Sequence, residues 1–113
     1  MPTTLQLKQK EQKSLQEFKN QLINKFGPHL ILLKLFGSKA RGDFHRESDL
    51  DVLVVIKNIT KENKDWIGTL AFEISIKYGV FISDIIFSDS DWAKYQMKRF
   101  SLARNVEEEG VKI

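Results

Sequence analysis

Two aspartates, Asp49 and Asp51, flank Leu50 at the head of a β-branched run, LDVLVVI. The two-residue side-chain period of a strand puts both carboxylates on one face, about 7 Å apart along the backbone. Two anions placed this way repel, and one is driven towards its neutral form unless a cation sits between them. An oxygen-only pair suits Mg²⁺ or Mn²⁺, and the chain has no cysteine to argue for zinc. A third acid, Asp84, interrupts VFISDIIF, where a carboxylate has poor strand propensity and no partner close in sequence. With the third strand beside the second, Asp84 can face the same side and complete three carboxylates around one or two metal ions. Taken singly, Asp49 also reads as a turn or cap residue, and Asp84 as a strand-edge acid bent into water.

Upstream of the acids, Gly37-Ser38 falls where an apolar run ends, and Ala40-Arg41-Gly42 adds little bulk. A sharp turn here into a short helix would leave backbone N–H groups and the Ser38 hydroxyl free for phosphate oxygens, with Lys39 and Arg41 as nearby positive charges. Taken alone, the pair reads more often as an ordinary turn.

These residues need elements to hold them. Leu15, Phe18, Leu22, Ile23 and Phe26 recur with helical period until Gly27-Pro28 stops them, so a first helix ends near Phe26. The run Leu30–Phe36 is short and continuously apolar, the mark of a buried strand, and Leu50–Ile56 reads as a second. Thr60 caps a helix over roughly 61–78, with Gly79 as its stop and Glu73–Lys77 as an i,i+4 pair. Val80–Phe87 follows as a third strand. Ser88 or Asp89 then caps a short helix carrying Trp92, Tyr95 and Phe100, with further helical turns near Leu102–Glu109. This order predicts an α/β (α+β) domain with a small mixed sheet flanked by helices, a single domain over residues 1–113.

Composition narrows the function classes. At 113 residues and 42% apolar content the chain suits one core and is too rich in Ile, Leu, Val and Phe for disorder. No apolar run approaches a membrane span and the start lacks a signal-peptide pattern, so a cytoplasmic location and no membrane partner are expected. Residues 1–42 hold eight Lys/Arg against two acids, while residues 43–113 hold ten bases against thirteen acids. The basic front is interleaved with Gln rather than aromatics, which reads as a solvated helix face, and no direct nucleic-acid binding is predicted. His29 and His45 read as surface or loop residues, and Trp92, Tyr95, Met97 and Phe100 most simply as core, with a partner-facing patch as the alternative for some of them.

The spacing ties the parts together. From Gly37-Ser38 there are ten residues, 39 through 48, and then Asp49-Leu50-Asp51. The segment GSKARGDFHRESDLDVLVV resembles the signature of the minimal nucleotidyltransferase (MNT) family, in the DNA polymerase β-like nucleotidyltransferase superfamily. Asp84 matches the place where that family keeps its third acid. The resemblance runs from about Leu30 to Phe87, and the tail with Asn105, Glu109 and Gly110 is similar to the family's C-terminus. Phe44 stands where a small residue is usual and Val52 where Leu is usual.

The resemblance implies a polymerase β-like nucleotidyltransferase fold and attack of a hydroxyl on the α-phosphate of a nucleoside triphosphate. It implies metal ligation by Asp49, Asp51 and Asp84, with Asp84 also drawing the proton from the attacking hydroxyl. Gly37, Ser38 and Arg41 would hold the nucleotide's phosphates. Larger members of the superfamily carry an acceptor-binding domain for which this chain is too short, and MNT members pair with a HEPN ribonuclease toxin. The implied activity is therefore Mg²⁺-dependent transfer of AMP from ATP to a toxin hydroxyl, a tyrosine, in a hetero-oligomeric antitoxin role. Two alternatives remain: an inactive binding module that covers its partner, and an enzyme that modifies a small molecule.

Overall fold

A computed structural model of the protein describes residues 7–41 and 49–113. Helix α1 spans Gln9–Phe26 and, through a 3₁₀ turn at Gly27–His29, leads into β1, Leu30–Phe36. A four-residue helix α2, Ser38–Arg41, follows at once, and β2 runs Leu50–Ile56. Then come α3 (Lys61–Tyr78), β3 (Ile82–Ser88), α4 (Asp89–Met97), α5 (Ser101–Glu109) and a two-residue strand β4, Val111–Lys112. The fold class is the expected α+β arrangement: a mixed sheet of order β3-β2-β1-β4, with β1 antiparallel to both β2 and β4, and β2 parallel to β3.

Strand β2 lies inside the sheet and is buried throughout except at Asp51. Its side chains alternate between two cores. Leu50, Val52, Val54 and Ile56 meet Leu15, Phe18 and Leu22 of α1 and Ile67, Ala71 and Ile74 of α3. Leu53 and Val55 face the other way, towards Trp92 of α4 and Ala103 and Val106 of α5. A strand covered on both faces must be apolar at nearly every position, which is why LDVLVVI shows no polar alternation. Each such side chain contributes about 1.5–3 kcal/mol by leaving water.

The helix ends follow local chemistry. The Thr60 hydroxyl accepts the Asn63 N–H at 3.1 Å, and the Ser88 hydroxyl accepts that of Asp91 at 3.1 Å. Gly79 closes α3 in the left-handed region at φ 66°, where a Cβ would be strained. Strand β3 starts two residues later than the apolar run suggests, because the Val80 N–H turns back to the Ser75 carbonyl at 3.0 Å. Helix α4 ends at Met97 rather than continuing through Phe100, and Met97 is 84% exposed instead of buried. Lys77 pairs across to Glu17 of α1 at 2.8 Å, where the sequence pointed to Glu73. Among the described residues, no helix is long and apolar enough to cross a membrane.

Candidate active site

The chemistry-bearing residues gather at the end of the sheet where β1 leaves and β2 and β3 enter. Register places Phe36 and Ser83 on either side of Asp51, and the Leu50 N–H donates to the Phe81 carbonyl at 2.7 Å. Directly paired residues project to the same face. Asp51 therefore points with Phe36, Leu53 and Ser83 towards the α4/α5 side. Asp49, two residues earlier, is exposed, and Asp51 is half-buried. Of the two carboxylates expected on one face, the strand pairs fix the direction of Asp51.

Gly37 explains why the turn after β1 needs its glycine. Its φ of 76° lies in the left-handed region, and a Cβ built there would strike Asp51 Oδ2 and stand 3.3 Å from Cγ. The position is thus closed to side chains twice over, by conformation and by the carboxylate lying against it. The side chains of Ser38 and Arg41, and all of residues 42–48, lie outside the described residues; the backbone of Ser38–Arg41 forms α2, as the turn-to-helix reading expects.

Asp84 is a correction. The parallel register pairs Asp84 with Val52 and Ser83 with Asp51, so Asp84 projects to the α1/α3 side between Ile82 and Ile86. Its Oδ2 lies 4.0 Å from where a Cβ on Gly68 of α3 would be. It does not share the face of Asp49 and Asp51. Among the described residues, no group of three or more His, Cys, Asp or Glu is placed to hold a metal ion. Of the carboxylates expected to hold a metal, Asp51 is the one that lies against the Gly37 backbone.

Lys39 is a second correction. Rather than lending charge to a phosphate, its ammonium is buried, 2.8 Å from Glu11 Oε2 in the first turn of α1. Sequence reading passed over Glu11. Its available signal is an acid at the third position of a helix, able to accept the capping N–H, and Lys8 N–H does donate to Oε1 at 2.9 Å.

Comparison with known proteins places this geometry. Residues 15–113 match the family model described as "Nucleotidyltransferase domain". The chain is 38% identical over 100 residues to a Methanocaldococcus jannaschii protein provisionally named protein adenylyltransferase MJ0604, covering 88% of this chain and 94% of that protein. A second protein of that organism, provisionally named protein adenylyltransferase MJ0141, is 40% identical over 74 residues, 65% of this chain and 75% of its own length. In fold, the chain resembles a crystal structure of a toxin–antitoxin with AMP-PNP, at TM-score 0.57 and 21% identity over 85% of this chain and 69% of that one. It also resembles a structure described provisionally as a minimal nucleotidyltransferase, at TM-score 0.59 and 19% identity over 97% and 100% of the two chains. With the acid pair, the glycine that fits only against it and the match over residues 15–113 taken together, the chain belongs to the nucleotidyltransferase domain family and is a nucleotidyltransferase.

Proposed function

We propose that the protein transfers AMP from ATP to a side-chain hydroxyl, a tyrosine, of a partner protein, with Mg²⁺ held by Asp49 and Asp51. The observation that carries this reading is the packing of Gly37 against the Asp51 carboxylate, with Asp49 two residues upstream in the chain. The names of the M. jannaschii relatives support a protein as acceptor. The toxin–antitoxin with AMP-PNP supports an adenine nucleotide as the donor and a toxin as the partner in a hetero-oligomer; a HEPN-type toxin is what the family resemblance implies.

In this reaction the acceptor oxygen forms a bond to the α-phosphorus as the bond to the bridging oxygen of pyrophosphate breaks, and pyrophosphate leaves with that electron pair. A bound divalent cation would neutralise the triphosphate charge, and Asp49 and Asp51 would hold it; Gly37 brings the backbone to the phosphates without a side chain in the way. Ser38 and Arg41 bind the β and γ phosphates. With Asp84 on the opposite face, the hydroxyl proton passes to solvent on the exposed side of Asp49.

One observation favours a second reading, a module of the same fold that neutralises its partner by covering it: the described residues bring no third carboxylate to the acid pair. Intact mass spectrometry of the partner after incubation with ATP and Mg²⁺ separates the two. Transfer adds the mass of AMP to the partner, and Asp51→Asn abolishes the addition while partner binding persists. An unmodified partner that is nevertheless neutralised mole for mole supports covering instead.

A further inference from the structure

Lys39 stands two positions beyond Gly37, in a helix of four residues that is too short to hold itself together. Its side chain is fully buried, and the Glu11 carboxylate that meets it is only 6% exposed. That one carboxylate has two tasks: Oε1 accepts the Lys8 N–H at 2.9 Å, closing the start of α1, and Oε2 receives the Lys39 ammonium at 2.8 Å. Around them, Ser14 is fully buried with its hydroxyl donating to the Glu11 carbonyl at 2.7 Å, and Ala40 is buried against the α1/α3 core.

Burying two charges costs desolvation that their attraction roughly returns, so such a pair adds little stability over an apolar pair of the same volume. What it does impose is a single arrangement, because either charge left alone in that interior is strongly unfavourable. We propose that Glu11–Lys39 is a positioning pair: it fixes α2 to the first turn of α1 and so holds Gly37 against the Asp51 carboxylate, while the ammonium itself makes no contact with the nucleotide. This rests on the proposed function, since the turn it positions is the one that meets the phosphates.

The test is a cycle of three variants of the full chain. Glu11→Gln keeps an acceptor for the Lys8 N–H but removes the counter-charge. Lys39→Met keeps the length of the side chain and removes the ammonium. The double variant removes both charges. Two quantities are read: the amide NMR resonances of Gly37 and Asp51, which need no nucleotide, and the Michaelis constant for ATP in transfer of α-phosphate label. Each single variant is expected to shift both resonances and to raise the constant roughly ten- to a hundred-fold, the scale of a displaced substrate-positioning group. The double variant is expected to return both resonances and to bring the constant within about threefold of wild type.

Unmoved resonances in the single variants would reduce the pair to a piece of core. A stable double variant that recovers its resonances but not its affinity for ATP would make the ammonium a direct nucleotide ligand and overturn the proposal. Should the single variants fail to fold, the double variant decides alone, because it must match wild type in both readings. If wild type itself shows no use of ATP, the proposed function fails, and the resonances still decide the pair.

Discussion

Gly37 and Asp51 constrain each other at atomic distance, and that contact sets what each position tolerates. Gly37→Ala forces a methyl group onto the Asp51 carboxylate and a Cβ into φ 76°. It should cost about 1–3 kcal/mol of stability and remove most transfer, measured by thermal melting and by incorporation of label from ATP. Asp49→Asn or Asp51→Asn removes a carboxylate from the proposed metal site, so transfer should fall to background while the chain still melts cooperatively. Asp84→Asn separates the geometry from the motif. Because Asp84 faces Gly68 rather than Asp51, this variant should keep transfer within about threefold of wild type; loss of transfer comparable to Asp51→Asn would return Asp84 to the site. The acid pair was legible because two aspartates in a strand signal a face by their spacing alone. Asp84 was not, because two polar residues, Ser83 and Asp84, followed by Ile85, Ile86 and Phe87 show no alternation, and such a run carries no phase.

At the scale of elements, α1 and α3 are tied by a small polar cluster as well as by their shared core. Glu17 Oε1 accepts hydrogen bonds from Lys77 Nζ and from the Tyr78 hydroxyl, each at 2.8 Å. The bond from Lys77, followed by that from Tyr78, holds the Glu17 carboxyl below its ordinary value, and the same bond holds Lys77 above its own. A depressed carboxyl contributes stability that is fully present above its unfolded-state value and is lost as pH falls through the folded one. A raised ammonium contributes stability present below its unfolded-state value and lost as pH rises through the folded one. The cluster therefore acts over the neutral range. Lys77 is exposed while Glu17 and Tyr78 are half-buried, so solvent screens much of the pairing and Glu17→Gln should lower the melting midpoint at pH 7 by no more than about 3 °C. The difference from wild type should vanish as pH drops below the ordinary carboxylate range and shrink in high salt. Leu53→Ala, in the buried strand between two cores, should cost about 2–5 kcal/mol in denaturant unfolding. The helices and three long strands were readable because periodicity, the Thr60 and Ser88 caps and Gly79 agree with one another. β4 was not: two residues, Val111 and Lys112, carry no period, and they are a strand only because Leu35 and Lys34 lie beside them.

For the molecule as a whole, the sheet is the device that brings distant segments to one end. Gly37, from the exit of β1, and Asp51, at the entrance of β2, touch because the two strands run antiparallel. Long-range register is what spacing could not supply, and it also decides that Glu11, twenty-eight positions before Lys39 in the chain, lies against it. The central claim is that Asp49, Asp51 and the Gly37 turn form a working adenylyl-transfer site directed at a protein. It is tested most directly by incubating the chain with Mg²⁺, the protein encoded beside it, and ATP labelled in parallel at the α or the γ phosphate. The account predicts covalent labelling of that protein from α-labelled ATP only, dependent on Mg²⁺ and absent with Asp51→Asn. Labelling from γ-labelled ATP, or undiminished α-labelling with Asp51→Asn, would contradict it.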